Sequence, residues 1–95
     1  TTADIGKCFR NSSSGLCTYT LPTAASNLNY IFMCDNGEIR VVPGSGDKIR
    51  LFNAVTLAGD SGGYISATDV CSVVQLIAID ATNWMATYIT GIWSV

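Results

Sequence analysis

The sequence predicts an all-β protein, a compact antiparallel β-sandwich or barrel, and three observations lead to this prediction. Apolar residues do not repeat at the helical spacing i, i+3, i+4, i+7 over any useful window. Short runs of β-branched and aromatic residues are instead separated by Gly, Pro, Asn and Asp throughout the chain. Finally, Asn36-Gly37 suits the positive φ angles of a type I′ turn, so Tyr30–Cys34 and Glu38–Val42 are expected to form a hairpin.

The remaining elements divide the chain into a leading part and one domain. Residues 1–15 are predicted to be an N-terminal leading segment and loop, and residues 16–95 a single β domain. The first strand of that domain is Leu16–Leu21, which ends at Pro22 because proline cannot donate to a strand ladder. Further strands are predicted at Asp47–Phe52, Val55–Leu57, Tyr64–Ser66, Ser72–Ile79, Trp84–Tyr88 and Gly91–Trp93.

The composition is poor in charge and rich in apolar residues. Hydrophobic residues make up 48% of the 95 residues and charged residues 13%, whereas about 25% charged is usual for soluble domains. A net charge of −2 without a basic cluster argues against binding to nucleic acid. No run approaches the roughly 20 apolar residues of a membrane helix, so membrane insertion is not expected. The shortage of charge predicts burial of outer surface against other subunits.

The strand Ser72–Ile79 is apolar on both of its faces. One face carries the even-numbered residues Ser72 to Ala78, and the other carries Val73, Gln75, Ile77 and Ile79. A single sandwich has one apolar interior, so only one of these faces can meet the core. The face of Val73, Gln75, Ile77 and Ile79 is therefore predicted to be a subunit interface.

The pentapeptide Gly59-Asp60-Ser61-Gly62-Gly63 matches the surroundings of the nucleophile in chymotrypsin-like proteases. A triad serine needs an imidazole to take its proton, and this chain contains no histidine. Neither lysine stands in a recognisable Ser-Lys pattern. Ser61 is accordingly predicted to be inert, in a tight turn that uses glycine for positive φ.

A second enzymatic reading, glycan cleavage, would require two carboxylates about 5–10 Å apart. The candidates are Asp47, Asp60, Asp69 and Asp80, which all fall at predicted turns. Aspartates at turns usually accept local backbone hydrogen bonds. The sequence thus predicts no catalytic residue and no enzymatic activity.

The four cysteines are Cys8, Cys17, Cys34 and Cys71. Without a C-x-x-C pair or any histidine, no zinc site is predicted, and no other metal or cofactor. Two disulfides could form in three connectivities. Cys8 with Cys17 is the first pair to test, whereas Cys34 and Cys71 lie in strand-like runs where a free cysteine behaves as a small apolar residue.

Four aromatic residues are candidates for contact with a carbohydrate, because aromatic rings stack on sugars. They are Tyr64, Trp84, Tyr88 and Trp93. Large aromatics in so small a domain also serve as core, which is the competing interpretation for both tryptophans. Tyr64, beside the glycine loop, is the candidate expected to be more exposed.

The order of several motifs resembles the small all-β modules, often C-terminal, of bacteriophage tail fibres and tailspikes. The resemblance covers roughly residues 16–95. The motifs are Leu21-Pro22-Thr23-Ala24-Ala25, Val41-Val42-Pro43-Gly44, Gly46-Asp47-Lys48-Ile49, Val74-Gln75-Leu76-Ile77-Ala78, Asn83-Trp84 and Gly91-Ile92-Trp93.

This resemblance implies a homotrimeric structural module of a virion, assembled in the host cytoplasm and exposed outside the cell. Its partners would be two further copies of itself, other tail or capsid proteins, and host surface polysaccharide. The alternatives are a capsid decoration protein (a head fibre or cement protein) and a carbohydrate-binding module.

Overall fold

Two β-sheets face each other across one apolar core in the computed structural model, which describes residues 8–11, 15–25, 28–51 and 54–95. The prediction of an all-β sandwich is confirmed. The described strands are β1 (Cys8–Asn11), β2 (Leu16–Thr20), β3 (Asn29–Cys34), β4 (Glu38–Val42), β5 (Lys48–Leu51), β6 (Ala54–Val55), β7 (Ile65–Ala67), β8 (Ser72–Ala78) and β9 (Asn83–Thr90). A 3₁₀ turn at Gly59–Ser61 is the only helical element among the described residues.

The larger sheet, sheet A, has the strand order β1-β3-β8-β9-β5-β6, and the smaller, sheet B, has the order β2-β4-β7. The sequence predicted antiparallel strands, but three of the strand pairs are parallel. β1 runs parallel to β3, β2 parallel to β4, and β5 parallel to β9. Each parallel pair requires the chain to cross between sheets or travel around the sandwich, and single-strand patterns do not reveal such long-range pairing.

The hairpin predicted at Asn36-Gly37 is wrong, although the turn itself exists. Gly37 has the positive φ of 66° that the pattern indicated. However, β3 pairs with β1 and β8 in sheet A, while β4 pairs with β2 and β7 in sheet B. The turn is therefore an arch that carries the chain from one sheet to the other. An arch turns the apolar faces of β3 and β4 towards each other, so both contribute to the same core.

The domain starts earlier than the predicted boundary at residue 16. β1 lies within the predicted leading segment, yet it pairs in register with β3 from Cys8↔Ile31 to Asn11↔Cys34. Residues 1–7 and 12–14 of that segment lie outside the described residues. The last strand that the sequence predicted, Gly91–Trp93, is not a strand in the structure. The chain there turns at Gly91 (φ 83°), and Ser94 forms an isolated bridge to Ser66.

Strands β2 to β5 and β7 to β9 all contribute inward side chains to the core. Alternation is regular in β3 and β8, where every second residue is buried. Tyr30 packs against Trp84 with ring centroids 5.7 Å apart, and Tyr19 packs against Phe32 at 5.6 Å. The largest fully buried side chains are Trp84, Tyr30, Ile39, Ile49, Leu51, Ile65 and Leu76. This packing fixes which side of each strand is left facing outward.

Asp47 is a buried charged residue, 2% exposed, at the junction of three loops. Its Oδ2 accepts a hydrogen bond from the Ala24 backbone N–H at 2.8 Å. The Asp47 N–H donates to the Gly44 carbonyl, and the Asp47 carbonyl accepts from the Gly59 N–H. One residue thus joins the segment after β2, the turn before β5 and the 3₁₀ turn, because a buried carboxylate must be hydrogen-bonded.

Candidate functional site

The outward side of sheet A carries few polar groups at its middle strands. Its three central strands, β3, β8 and β9, contain no charged residue at all. Their inward side chains fill the core, so the outward side chains are the ones left to meet solvent or a partner. An uncharged face across three adjacent strands is the feature expected of a protein interface.

The register places the outward side chains of these strands in three rows. The rows are Met33, Val73 and Thr90; Ile31, Gln75 and Tyr88; and Asn29, Ile77 and Met85. Three of the predicted interface residues, Val73, Gln75 and Ile77, therefore form a central column between uncharged neighbours on β3 and β9. Ile31, Met33 and Met85 are members that sequence reasoning missed. The alternation in β3 was a signal for the first two, once the partner strand is known.

A β-bulge in β9 sets the arrangement of this face. The register with β8 shifts between Gln75 and Leu76, so that Gln75 pairs with Tyr88 but Leu76 pairs with Ala86. Thr87 is the extra residue, and its Oγ1 donates to the Gln75 carbonyl at 3.5 Å. The bulge turns Tyr88 outward, 56% exposed, while Ile89 packs against the core.

Ile79, the fourth predicted interface residue, lies just beyond the end of β8. Its side chain is 44% exposed, and its backbone N–H donates to the carbonyl of Asn83, the first residue of β9. It extends the central column of Val73, Gln75 and Ile77 towards that turn. All four predicted residues thus lie on one side of the molecule, outside the buried core.

A basic margin borders the uncharged face at β5. Lys48 and Arg50 point outward there, and the register sets Arg50 beside Met85 and Val55. No acidic side chain is described at the outward positions of sheet A. The face is therefore uncharged in its centre and positive along one side.

Tyr64, the candidate predicted to be more exposed, lies beside sheet B and is half-buried. The Arg40 guanidinium stands over its ring, 4.8 Å from the centroid, in a cation–π contact. The Nε of Arg40 also donates to Glu38 Oε2 at 2.7 Å, and this hydrogen bond raises the pKa of Arg40. One face of the Tyr64 ring is consequently already covered by protein.

The structure corrects the ligand-contact prediction for the two tryptophans. Trp84 is 0% exposed and Trp93 is 4% exposed, so neither ring can stack on a sugar at the surface. Neither indole N–H has a hydrogen-bond partner within the described part of the chain. Both rings therefore contribute apolar packing, which was the competing interpretation. Tyr88 remains accessible, but it shares a row with Gln75 and so belongs to the face described above.

The Gly59–Gly63 loop has a structural explanation. A Cβ at Gly59 would collide with the Pro43 carbonyl oxygen, and one at Gly63 would collide with the Leu57 carbonyl oxygen. Gly62 has a φ of 87°, which confirms a positive-φ turn. Ser61 is exposed in the 3₁₀ turn. Close backbone packing and a left-handed turn account for the motif without any nucleophile.

The turn carboxylates whose side chains are described differ in their surroundings. Asp47 is enclosed by the loops it joins, whereas Asp69 is exposed. Asp80 Oδ1 accepts from the backbone N–H groups of Thr82 and Asn83 at 2.8 and 2.9 Å. These bonds, the Thr82 backbone bond first, lower the pKa of Asp80. Asp80 thus makes the local backbone bonds expected of a turn aspartate, whereas the Asp47 carboxylate accepts from Ala24, which is distant in the sequence.

Three thiols are described, and none of them is in a disulfide. Cys17 is half-buried, Cys34 is buried and Cys71 is exposed; the side chain of Cys8 lies outside the described residues. The first-choice Cys8–Cys17 disulfide is therefore not formed in this structure. Burial raises the pKa of the Cys34 thiol. Among the described residues no group of three or more potential ligands could hold a metal ion, and no helix is long and apolar enough to cross a membrane.

Comparison of the chain with protein-family models, with curated proteins and with solved structures found no match.

Proposed function

We propose that this protein is a non-enzymatic structural module of a phage tail fibre or tailspike that holds three copies of its chain together. The observation that carries the proposal is the uncharged outward face of β3, β8 and β9. Burying a side chain such as Val or Ile completely contributes about 1.5–3 kcal/mol. A threefold assembly repeats each such contribution three times, which offsets the entropy lost on association.

The homotrimer would use the central column of β8 as its contact. Val73 and Ile77 flank Gln75 there, and Met33 and Met85 lie on either side of that column. Methionine side chains adapt to irregular gaps, which suits an interface formed by the pleated surfaces of three chains. The positive margin at Lys48 and Arg50 would remain at the rim of the interface, where charges are usually found.

Contact with host surface polysaccharide, if the module makes it, falls to Tyr64 in this arrangement. Tyr88 lies inside the proposed interface beside Gln75, and Trp84 and Trp93 are in the core. Tyr64 is held by Arg40 on the opposite sheet of the sandwich. A glycan array screened with the parent and with Tyr64→Ala tests this assignment: binding should fall for the variant, and equal binding would contradict it.

The trimer itself is tested by Ile77→Lys, measured by analytical ultracentrifugation. An unpaired lysine in the interface should cost several kcal/mol, so the variant should lose the threefold association of the parent. Leu57→Lys is the matched control, because Leu57 is 65% exposed and lies in the loop after β6, outside the outward face of β3, β8 and β9. It should keep the mass of the parent. A parent that sediments as a monomer, or an Ile77→Lys variant that stays soluble at three times the chain mass, would contradict the proposal.

A further inference from the structure

The first four strands form two stacked arches. β1 and β2 lie in different sheets, and so do β3 and β4. β1 lies beside β3 in sheet A, and β2 lies beside β4 in sheet B. Both pairs are parallel and in register, from Cys8↔Ile31 in the first and from Leu16↔Glu38 in the second. The first arch therefore repeats the second one strand spacing further out, and its strands are the outermost strands of both sheets at this end of the sandwich.

The core is incompletely covered at β2. Cys17 and Tyr19 point towards the same interior as Ile39 and Val41, their register partners in β4. Ile39 and Val41 are completely buried, whereas Cys17 and Tyr19 are only half-buried. The difference arises because β4 has a neighbour on each side, while β2 has one only among the described residues. A strand added beyond β2 would complete the burial of Tyr19.

The outer edge of β2 also presents backbone groups suited to strand pairing. The Gly15 carbonyl and the Leu21 N–H bond to β4. Because backbone groups point to alternate sides along a strand, Cys17 and Tyr19 also direct theirs to β4. The N–H and C=O groups of Leu16, Thr18 and Thr20 are then directed away from β4, to the edge of sheet B beyond which no further strand is described.

This edge lacks the features that usually prevent strand addition. Natural edge strands carry a charged residue, a proline or a bulge, or they are very short. The sequence of β2, Leu-Cys-Thr-Tyr-Thr, contains no charge, proline or glycine and is 5 residues long. The other outermost strands are different: β1 contains Arg10, β6 has 2 residues, and the backbone of Ser66 in β7 is already bonded to Ser94.

We propose that the β2 edge pairs antiparallel with β2 of a second copy, joining two copies of sheet B into one six-stranded sheet. The occupant is β2 of a second copy, since β2 is the one unprotected edge of useful length among the described strands of that copy. A twofold axis at Thr18 sets Thr18 opposite Thr18 and Leu16 opposite Thr20 of the partner. The outward groups of both strands then form about six inter-chain hydrogen bonds.

The pairing is compatible with the proposed trimer but does not depend on it. Sheet B carries the β2 edge, and the proposed trimer contact is on the outward face of sheet A. Twofold pairing would take a trimer to a hexamer. In an Ile77→Lys background that has lost the trimer, the same pairing would take a monomer to a dimer. The factor of two and the factor of three are therefore separable in one sedimentation experiment.

The experiment measures mass against concentration for the parent and for variants at Thr18. Thr18→Lys and Thr18→Glu each set like charges directly opposite one another across the axis, which opposes pairing. Each variant alone should no longer double its mass as concentration rises, a change we call the twofold step. An equimolar mixture of the two variants should recover this doubling. Thr18→Val is the control, because it keeps the N–H and the β-branched shape, and it should keep the step. Thr18→Pro removes an edge N–H without touching a bond to β4, and it should lose the step.

Hydrogen exchange provides the second measurement. The amides of Leu16, Thr18 and Thr20 should exchange slowly in the associated parent and quickly in Thr18→Lys, while the Leu21 amide stays protected in both. A parent without a twofold step, a mixture of the Lys and Glu variants that stays at the mass of each alone, or rapid exchange at Thr18 in the associated parent would each overturn the pairing. If Thr18→Pro fails to fold, the mixing experiment still decides.

Discussion

Replacing Asp47 by alanine should destabilise the fold through one specific backbone group. The Asp47 carboxylate is 2% exposed, and its Oδ2 accepts the Ala24 N–H at 2.8 Å. Alanine would leave that N–H without its acceptor in the interior, which costs about 1–3 kcal/mol. The hydrogen bonds of the Asp47 backbone to Gly44 and Gly59 do not involve the side chain and should survive.

The expected loss is therefore about 1–3 kcal/mol in the free energy of unfolding, measured by urea denaturation. For a domain of this size each kcal/mol lowers Tm by about 4–8 °C, so thermal unfolding monitored by circular dichroism should show the change clearly. Asp47→Asn retains an oxygen acceptor but loses the charge, and charge-assisted bonds are roughly twice as strong as neutral ones. It should fall between the parent and Asp47→Ala.

Asp69→Ala is the matched control, because it also removes a turn carboxylate, but an exposed one. Its effect should stay within about 0.5 kcal/mol. Exchange at the Ala24 amide gives a local measurement, since it should accelerate in Asp47→Ala and remain unchanged in Asp69→Ala. If the two alanine variants unfold at the same urea concentration, the Asp47–Ala24 bond does not hold the three loops together and the reasoning is refuted.

Three further predictions concern backbone conformation and pH. Cys71 is the one described non-glycine residue with positive φ, at 72°. Cys71→Gly should therefore raise the free energy of unfolding by about 1 kcal/mol, while Cys71→Ala should not. Equal Tm values for the two variants would argue against strain at this position. Gly59→Ala should prevent normal folding, because its Cβ would meet the Pro43 carbonyl. The Cβ of Gly15→Ala meets nothing within 4 Å, so this variant should retain the circular dichroism spectrum of the parent. A folded Gly59→Ala with unchanged Tm would contradict the close packing. The lowered pKa of Asp80 means that its contribution is present above the pKa of an unfolded aspartate and is lost as pH falls through the lower, folded value. The Tm advantage of the parent over Asp80→Asn should accordingly shrink on acidification, and a constant difference across that range would show that the turn bonds do not favour the ionised form.

The sequence was sufficient to predict the strands whose alternation is regular, but not their partners. In β3 and β8 every second residue is buried, and both were predicted within one residue at each end. Asn36-Gly37 was correctly identified as a turn, but only Gly37 has the positive φ that a type I′ turn requires of both residues. A local pattern, however, is the same whether the two flanking strands lie side by side in one sheet or face each other across a core. Only the pairing of β3 with β8, about 40 residues away in the chain, distinguishes the arch from the hairpin.

The spacing of the aromatic residues of β9 could not show which of them face the core and which face outward, because the bulge at Thr87 breaks the period of two. In a regular strand, Trp84, Ala86 and Tyr88 would share one face. In the structure Trp84 is fully buried and Tyr88 is outward, since the extra residue reverses the sides after it. A two-residue alternation therefore gives the correct side up to Ala86 and the opposite side beyond it.

That single bulge links the core to the candidate surface. By turning Ile89 inward it supplies an apolar side chain to the core, and by turning Tyr88 outward it adds an aromatic residue beside Gln75. Tyr88, which the sequence predicted as a sugar contact, thus lies on the same face as the interface predicted on β8. A face buried between subunits cannot also bind a glycan. If the trimer forms as proposed, Tyr88 should be protected from surface modification in the assembly and accessible in the Ile77→Lys variant.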